Sequence, residues 1–319
     1  VPLVEFEMTL EGGMLLDPEE KIGVANLLSS ILLKGTANKT PEVLEQEIQL
    51  LGAHLEANTT DTAIVIRGTS LAKHFPALID IVEEVLLSPR FDQEEFALAK
   101  DEILNDIKQV KANPSAIASL TFAELLYPEG HPFAKPLTGS TSSVEAITLD
   151  DLRSFFKTNM SPTVTKIHVA GDISKSQVAK ALTSLNDKWA QTDVVLPTIE
   201  PVSLPETSTV YFYDVPNAKQ SMLYFGHAAP TVNSPDIYAA DVMNYRLGGG
   251  GFASQLMQEL REGKGYTYGI RSGFSYDNYT GMFTIRSGVR SNVTLEAIAT
   301  IREILGSFGY NYSQEDLDI

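Results

Sequence analysis

Within GVANLLSSILLKGT, from Gly23 to Thr36, three small polar residues interrupt an apolar helix: Asn26, Ser29 and Ser30, at positions i, i+3 and i+4. Those positions share one helix face, and His, Glu and His placed there supply two zinc ligands and a general base. An amide and two hydroxyls bring neither imidazole nor anion, so zinc is not expected to bind. The same three residues are also what a partly buried helix face carries for packing alone. The five histidines, His54, His74, His131, His168 and His227, are spaced so that no two share a helical turn, and His131 in EGHPF reads as a turn residue. There is no GxSxG elbow and no P-loop.

A second stretch, LGGGGFASQLMQELREGKGYTYG from Leu247 to Gly269, carries more chemistry. Gly248, Gly249, Gly250 and Gly251 lie between two helical patterns, and such a run permits positive φ and close approach of another chain. Phosphate binding through backbone amides would suit a glycine run before a helix. This run follows a helix rather than a strand and lacks the Lys-Ser/Thr ending, so that use is disfavoured. Arg261 and Tyr268 donate hydrogen bonds of the kind that polarise a carbonyl and stabilise the oxyanion developing on it. On residues alone a helix-end arginine and a strand tyrosine are the favoured reading.

These residues sit on elements that the hydrophobic pattern marks out. Val4, Phe6, Met8 and Leu10 alternate with Glu5, Glu7 and Thr9, which predicts a half-buried strand. A helix follows over about 20–33, and Thr40-Pro41 starts another that Gly52 ends. Strands are expected over 53–59 and 62–69, and helices over 73–87, 92–112 and 115–126. Thr148 and Asp151 form a capping-box pattern, and a strand over 163–170 leads into a helix ending near Asn186. After the Pro-rich stretch QTDVVLPTIEPVSLPETS come strands over 210–214 and 220–228, a helix over 234–247, the glycine run, a helix to Glu262, strands over 266–276 and 280–289, and a helix from Asn292. Ser313 and Asp316 signal one more helix. Each half reads strand, helix, helix, strand, strand, helix, which predicts a duplicated α+β unit, each copy an antiparallel sheet covered by helices. The expected division is a first domain over 1–188, a linker over 189–208 and a second domain over 209–319.

Composition narrows the partners. Of 319 residues, 43% are hydrophobic and 20% charged, the balance of a globular protein large enough for two cores. Lys and Arg number 24 against 41 Asp and Glu, a formal net charge of -17, so nucleic acid is repelled. Cysteine is absent, which removes disulfides and thiolate metal sites. No apolar run is long enough to span a membrane. The compartment stays open, periplasm and cytoplasm being equally compatible.

The signature helix and the Leu247 to Gly269 stretch closely resemble the M16 family of zinc peptidases, which includes insulin-degrading enzyme, pitrilysin and the mitochondrial processing peptidase. EGGMLLDPEEKIGVANLL, DEILNDIK, HPFAKPLTGSTSSVEAITLDDLRSFFKTNMSP and VAGDISKSQVAKAL extend the likeness over nearly the whole chain. In active members the helix carries HxxEH ahead of an apolar pair and KGT, so the ligand, base and ligand fall on Asn26, Ser29 and Ser30 here. The family's third ligand, a Glu on a later helix, falls on Asp106. The family's Arg and Tyr, which reach from one half toward the zinc centre of its partner half, match Arg261 and Tyr268.

The resemblance therefore implies a chain without zinc of its own, whose partner half holds the metal, the two halves being separate subunits or one fused polypeptide. It also implies a further strand before Val1, and further helices and a strand after Ile319. Gly248 to Gly251 would orient peptide, and Arg261 and Tyr268 would assist the partner's zinc-activated water. The competing expectation is a scaffold of the same fold with no peptidase role.

Overall fold

The protein, described here from a computed structural model, is defined over residues 2–110, 112–200, 202, 207–309 and 312–314. It divides into two compact units. The first comprises 1–109 and 135–198, and the second 110–134 and 199–319. The second unit thus takes a segment, 110–134, from inside the span expected to form the first domain.

In the first unit, β1 (Leu3–Glu11) lies at the centre of a four-stranded antiparallel sheet. Its neighbours are β3 (Ala63–Leu71) and β4 (Thr165–Gly171), and β2 (His54–Thr59) lies outside β3, giving the order β2-β3-β1-β4. The register sets Phe6 opposite Gly68, Glu7 opposite Arg67 and Met8 opposite Ile66. Because side chains alternate along a strand, Val4, Phe6, Met8 and Leu10 all face the core, and all are buried. Helices α1 (Val24–Leu32), α2 (Pro41–Leu50) and α3 (Phe75–Leu87) supply the other side of that core. Phe6 meets Phe75 edge to face, with ring centroids 6.3 Å apart. Then come α4 (Gln93–Val110), α5 (Pro114–Leu126, part of the second unit), α6 (Thr141–Ala146), α7 (Leu149–Asn159) and α8 (Lys175–Lys188). The expected caps form. Thr40 Oγ1 accepts from Val43 N at the start of α2, and Thr148 and Asp151 exchange side-chain and backbone bonds at the start of α7.

The second unit repeats the order with a three-stranded antiparallel sheet. Strands β5 (Gln220–Ala229), β6 (Thr267–Tyr276) and β7 (Gly281–Arg290) pair in the order β5-β7-β6. Helix α9 (Ile237–Asn244) follows β5, the short α10 (Gln255–Met257) precedes β6, and α11 (Thr294–Phe308) follows β7. Leu247, Leu256, Leu260, Ile270, Ile285, Ile301 and Phe308 form its core. Helix α5 joins this unit through Phe122, whose ring lies 5.7 Å from that of Tyr224. His131 makes the turn read from EGHPF, its N–H donating to Pro128 O at 3.0 Å while its ring stacks on Tyr127.

Two readings from sequence need correction. The strand expected over 210–214 does not form, and Val210 and Phe212 are each 87% exposed. Apolar alternation alone does not make a strand, because its backbone needs a ladder partner, and among the described residues none lies beside it. The helices flanking the glycine run end as wider π turns, over Tyr245–Gly249 and Gln258–Gly263. The helix start at Ser313 and Asp316 lies largely outside the described residues.

Candidate functional site

Helix α1 is held at its start by Asp17. One carboxylate oxygen accepts from Gly23 N at 2.7 Å and the other from Ala25 N at 2.8 Å, where the helix leaves N–H groups without intrahelical partners. Lys21 just upstream bonds Asp151 of α7 at 2.7 Å. Val24, Ala25, Leu27, Leu28, Ile31 and Leu32 are buried.

On this helix the hydroxyls of the degenerate motif are used up internally. Ser29, only 5% exposed, donates from Oγ to Asn26 O at 2.9 Å. Thr59 Oγ1 at the end of β2 lies 2.9 Å from Ser29 Oγ and 2.8 Å from Ala25 O. Ser30 Oγ also donates to Asn26 O, at 2.9 Å. Asp106 is exposed on α4, and no hydrogen bond or ion pair joins it to Asn26, Ser29 or Ser30 among the described residues. Two hydroxyls committed to one backbone carbonyl do not fit a zinc ion, and one carboxylate cannot replace them. No group of three His, Cys, Asp or Glu suited to a metal occurs among the described residues. His54 and His168 instead line a shallow groove on the open face of the first sheet with Glu7, Glu56 and Arg67. There the Arg67 guanidinium, 2.7 Å from Glu7, holds that carboxyl below its usual range.

Asp17 carries a pH prediction. Burial pushes its carboxyl up to about 7, against the backbone N–H groups of Gly23, Ala25 and Val24. A folded-state value above the unfolded one means that the folded chain binds more protons between them, so this contribution is full below pH ~4 and is lost as pH rises through ~7. Asp17→Asn removes the titration. The melting temperature of the variant relative to wild type is expected to be higher at pH 8 than at pH 5. A constant difference would show that the N–H groups balance burial, and the reverse order that they outweigh it.

The second unit assembles the other candidate residues. Asn244, the one buried residue of α9, donates from Nδ2 to Ser272 O of β6 at 3.2 Å and accepts from Ser272 Oγ. This buried pair pins the turn Tyr245–Gly249 to the sheet. Gly248 is packed so closely against β6 that an added Cβ would meet Ser272 Oγ at 2.4 Å and Ser272 N at 2.7 Å. Gly249 lies against Asn244, and Gly250 against Tyr245. Gly251, at φ +58° with open space around it, turns the chain outward.

Past the loop, fully buried Leu260 anchors the second π turn, and Gly265 N closes it onto Arg261 O at 3.0 Å. Arg261 projects from this turn, its Nε 3.4 Å from Glu262 and its Cζ 4.5 Å from the centre of the Phe252 ring. Tyr268 stands at a break in the β6–β7 register between Thr267 and Ile270. Ser287 Oγ donates to Thr267 Oγ1 at 3.0 Å, and Gly269 N donates to the same oxygen at 3.0 Å. Such an irregularity re-aims a side chain, and Tyr268 is 87% exposed. Arg261, Tyr268 and the glycine run all belong to the second unit, whereas Asn26, Ser29, Ser30 and Asp106 belong to the first. Phe252 and the Asn244–Ser272 pair were not singled out from sequence. Their only signals are an aromatic directly after four glycines and an amide at an inward position of α9.

Comparison with known proteins identifies the family. A family model described as "Peptidase M16 inactive domain" matches residues 146–319, and one described as "Insulinase (Peptidase family M16)" matches 2–136. The chain belongs to peptidase family M16. This M16 chain is 25% identical over 285 residues to an uncharacterized zinc protease, YmxG, of Bacillus subtilis, covering 89% of this chain and 68% of that protein. It is 24% identical to a non-peptidase homolog, YmxG, of Helicobacter pylori, over all of this chain and 73% of the other. A crystal structure of a peptidase M16 inactive domain from Pseudomonas fluorescens superimposes with a TM-score of 0.91 at 26% identity, over all of this chain and 77% of that one. The M16 fold read from sequence is thus the fold observed. No helix among the described residues is long and apolar enough to cross a membrane.

Proposed function

We propose that this chain is the non-zinc half of an M16 metallopeptidase. A partner half bearing HxxEH, separate or fused, holds the zinc that activates water. This half closes the chamber around the peptide. It contributes Arg261 and Tyr268 as donors to the scissile carbonyl and the oxyanion that forms on it, and the Gly248 to Gly251 loop orients the chain. The observation that carries this reading is the contrast between the two units. One keeps an outward guanidinium and phenol on a braced scaffold, while the other has turned its ligand positions into packing groups. Such donors, in a chain whose described residues offer no cluster of metal ligands, make sense as half of a site.

A second reading, a scaffold of the M16 fold with no peptidase role, is favoured by the Helicobacter relative's description as a non-peptidase homolog. Reconstitution separates the two. The purified chain alone is expected to bind no stoichiometric zinc and to leave an unstructured, internally quenched peptide intact. Addition of the HxxEH half from the same genome is expected to bring cleavage above that of the zinc half alone. Cleavage unchanged by this chain supports the scaffold instead.

A further inference from the structure

The glycine run ends on an aromatic ring that the fold does not bury. Phe252 is 64% exposed, yet the backbone around it is pinned on both sides. Ala253 N donates to Gly250 O at 3.2 Å, and Ser254 donates to Gly251 O from its N at 3.1 Å and from its Oγ at 2.7 Å. Arg246 Nη1 donates to Ala253 O at 3.1 Å. An exposed phenyl gains little from burial, so packing of the ring does not account for this bracing. The ring does meet Arg261, whose guanidinium carbon lies 4.5 Å from its centre, well inside the range of a cation–π contact.

The geometry suits a donor that must be aimed. All guanidinium N–H groups lie in one plane, and the cation–π contact with Phe252 restrains the group without using a donor. Glu262 at 3.4 Å faces Nε and limits rotation within that plane.

We infer that Phe252 is a positioning residue that holds the Arg261 guanidinium by this cation–π contact, so that its in-plane donors meet the peptide carbonyl. This rests on the reading of Arg261 given above. On that basis the loop's contribution near the peptide includes its one outward aromatic side chain, carried beyond the packed glycines.

The test uses the assembled two-half enzyme and an internally quenched unstructured peptide. Phe252→Leu keeps apolar bulk and removes the π face. It is expected to lower kcat about two- to fivefold, the rate equivalent of one cation–π contact, with KM little changed. Phe252→Trp is expected to restore kcat. In an Arg261→Ala background, Phe252→Leu is expected to add nothing. In the isolated chain, the Arg261 Hε resonance should be shifted upfield by the ring and should lose that shift in Phe252→Leu. Wild-type kcat in Phe252→Leu beside an impaired Arg261→Ala overturns the inference alone, as do additive effects of the two changes. Wild-type turnover in Arg261→Ala overturns the parent reading, and the inference falls with it.

Discussion

Arg261→Ala in the assembled two-half peptidase is expected to lower kcat by about 10²–10³, the effect of removing one oxyanion donor from a site that excludes water. The variant should fold normally. The cation–π contact it loses at an exposed site is worth only about 0.5–1 kcal/mol, and the turn that carries Arg261 is anchored by buried Leu260 instead. Arg261→Lys separates charge from geometry. It keeps the positive charge but loses the planar fork that contacts the Phe252 ring and presents paired donors, so it should recover only a small part of the lost rate. Tyr268→Phe removes one hydroxyl from a ring that is almost fully exposed and should cost less than Arg261→Ala. Steady-state kinetics on the reconstituted pair decide the matter, and an Arg261→Ala turnover within twofold of wild type would sink the role assigned to the guanidinium.

Strand periodicity and helix caps made most of the architecture legible before any coordinates. Val4, Phe6, Met8 and Leu10 are buried on one face, as their alternation required, and the box of Thr148 with Asp151 closes as its spacing indicated. These features are local, and local rules suffice for them. Val210 to Asp214 shows the limit: its residues suit a strand, but strand formation depends on a partner that lies elsewhere. The assignment of 110–134 to the second unit is likewise a matter of tertiary contact, made by Phe122 against Tyr224. For the site, residue types on α1 were enough to argue against zinc. They could not show that both serine hydroxyls fold back onto Asn26 O. Nor could they show that the four glycines have different tasks, since the word GGGG is uniform and only packing distinguishes its members.

That difference yields the second large effect, on stability. Gly248→Ala would place a methyl 2.4 Å from Ser272 Oγ, 2.7 Å from Ser272 N and 2.9 Å from Leu256 Cδ1. The hydroxyl cannot swing aside without leaving buried Asn244, which it bonds, unsatisfied. The Ser272 amide cannot retreat without shifting β6 against β7, where Ser272 faces Ile285. Overpacking together with the strained polar pair is expected to cost about 3 kcal/mol. Gly251→Ala meets no atom within 4 Å and bears only the penalty of a side chain at φ +58°, about 1 kcal/mol. Urea unfolding of the two variants should therefore rank Gly248→Ala well below Gly251→Ala. Equal midpoints would show that the loop is held by something other than its contact with β6. With the ranking as expected, Gly251→Ala becomes the clean probe of peptide orientation. It leaves the packed base of the loop intact, so a raised KM in the assembled enzyme would report on the outward turn that carries Phe252.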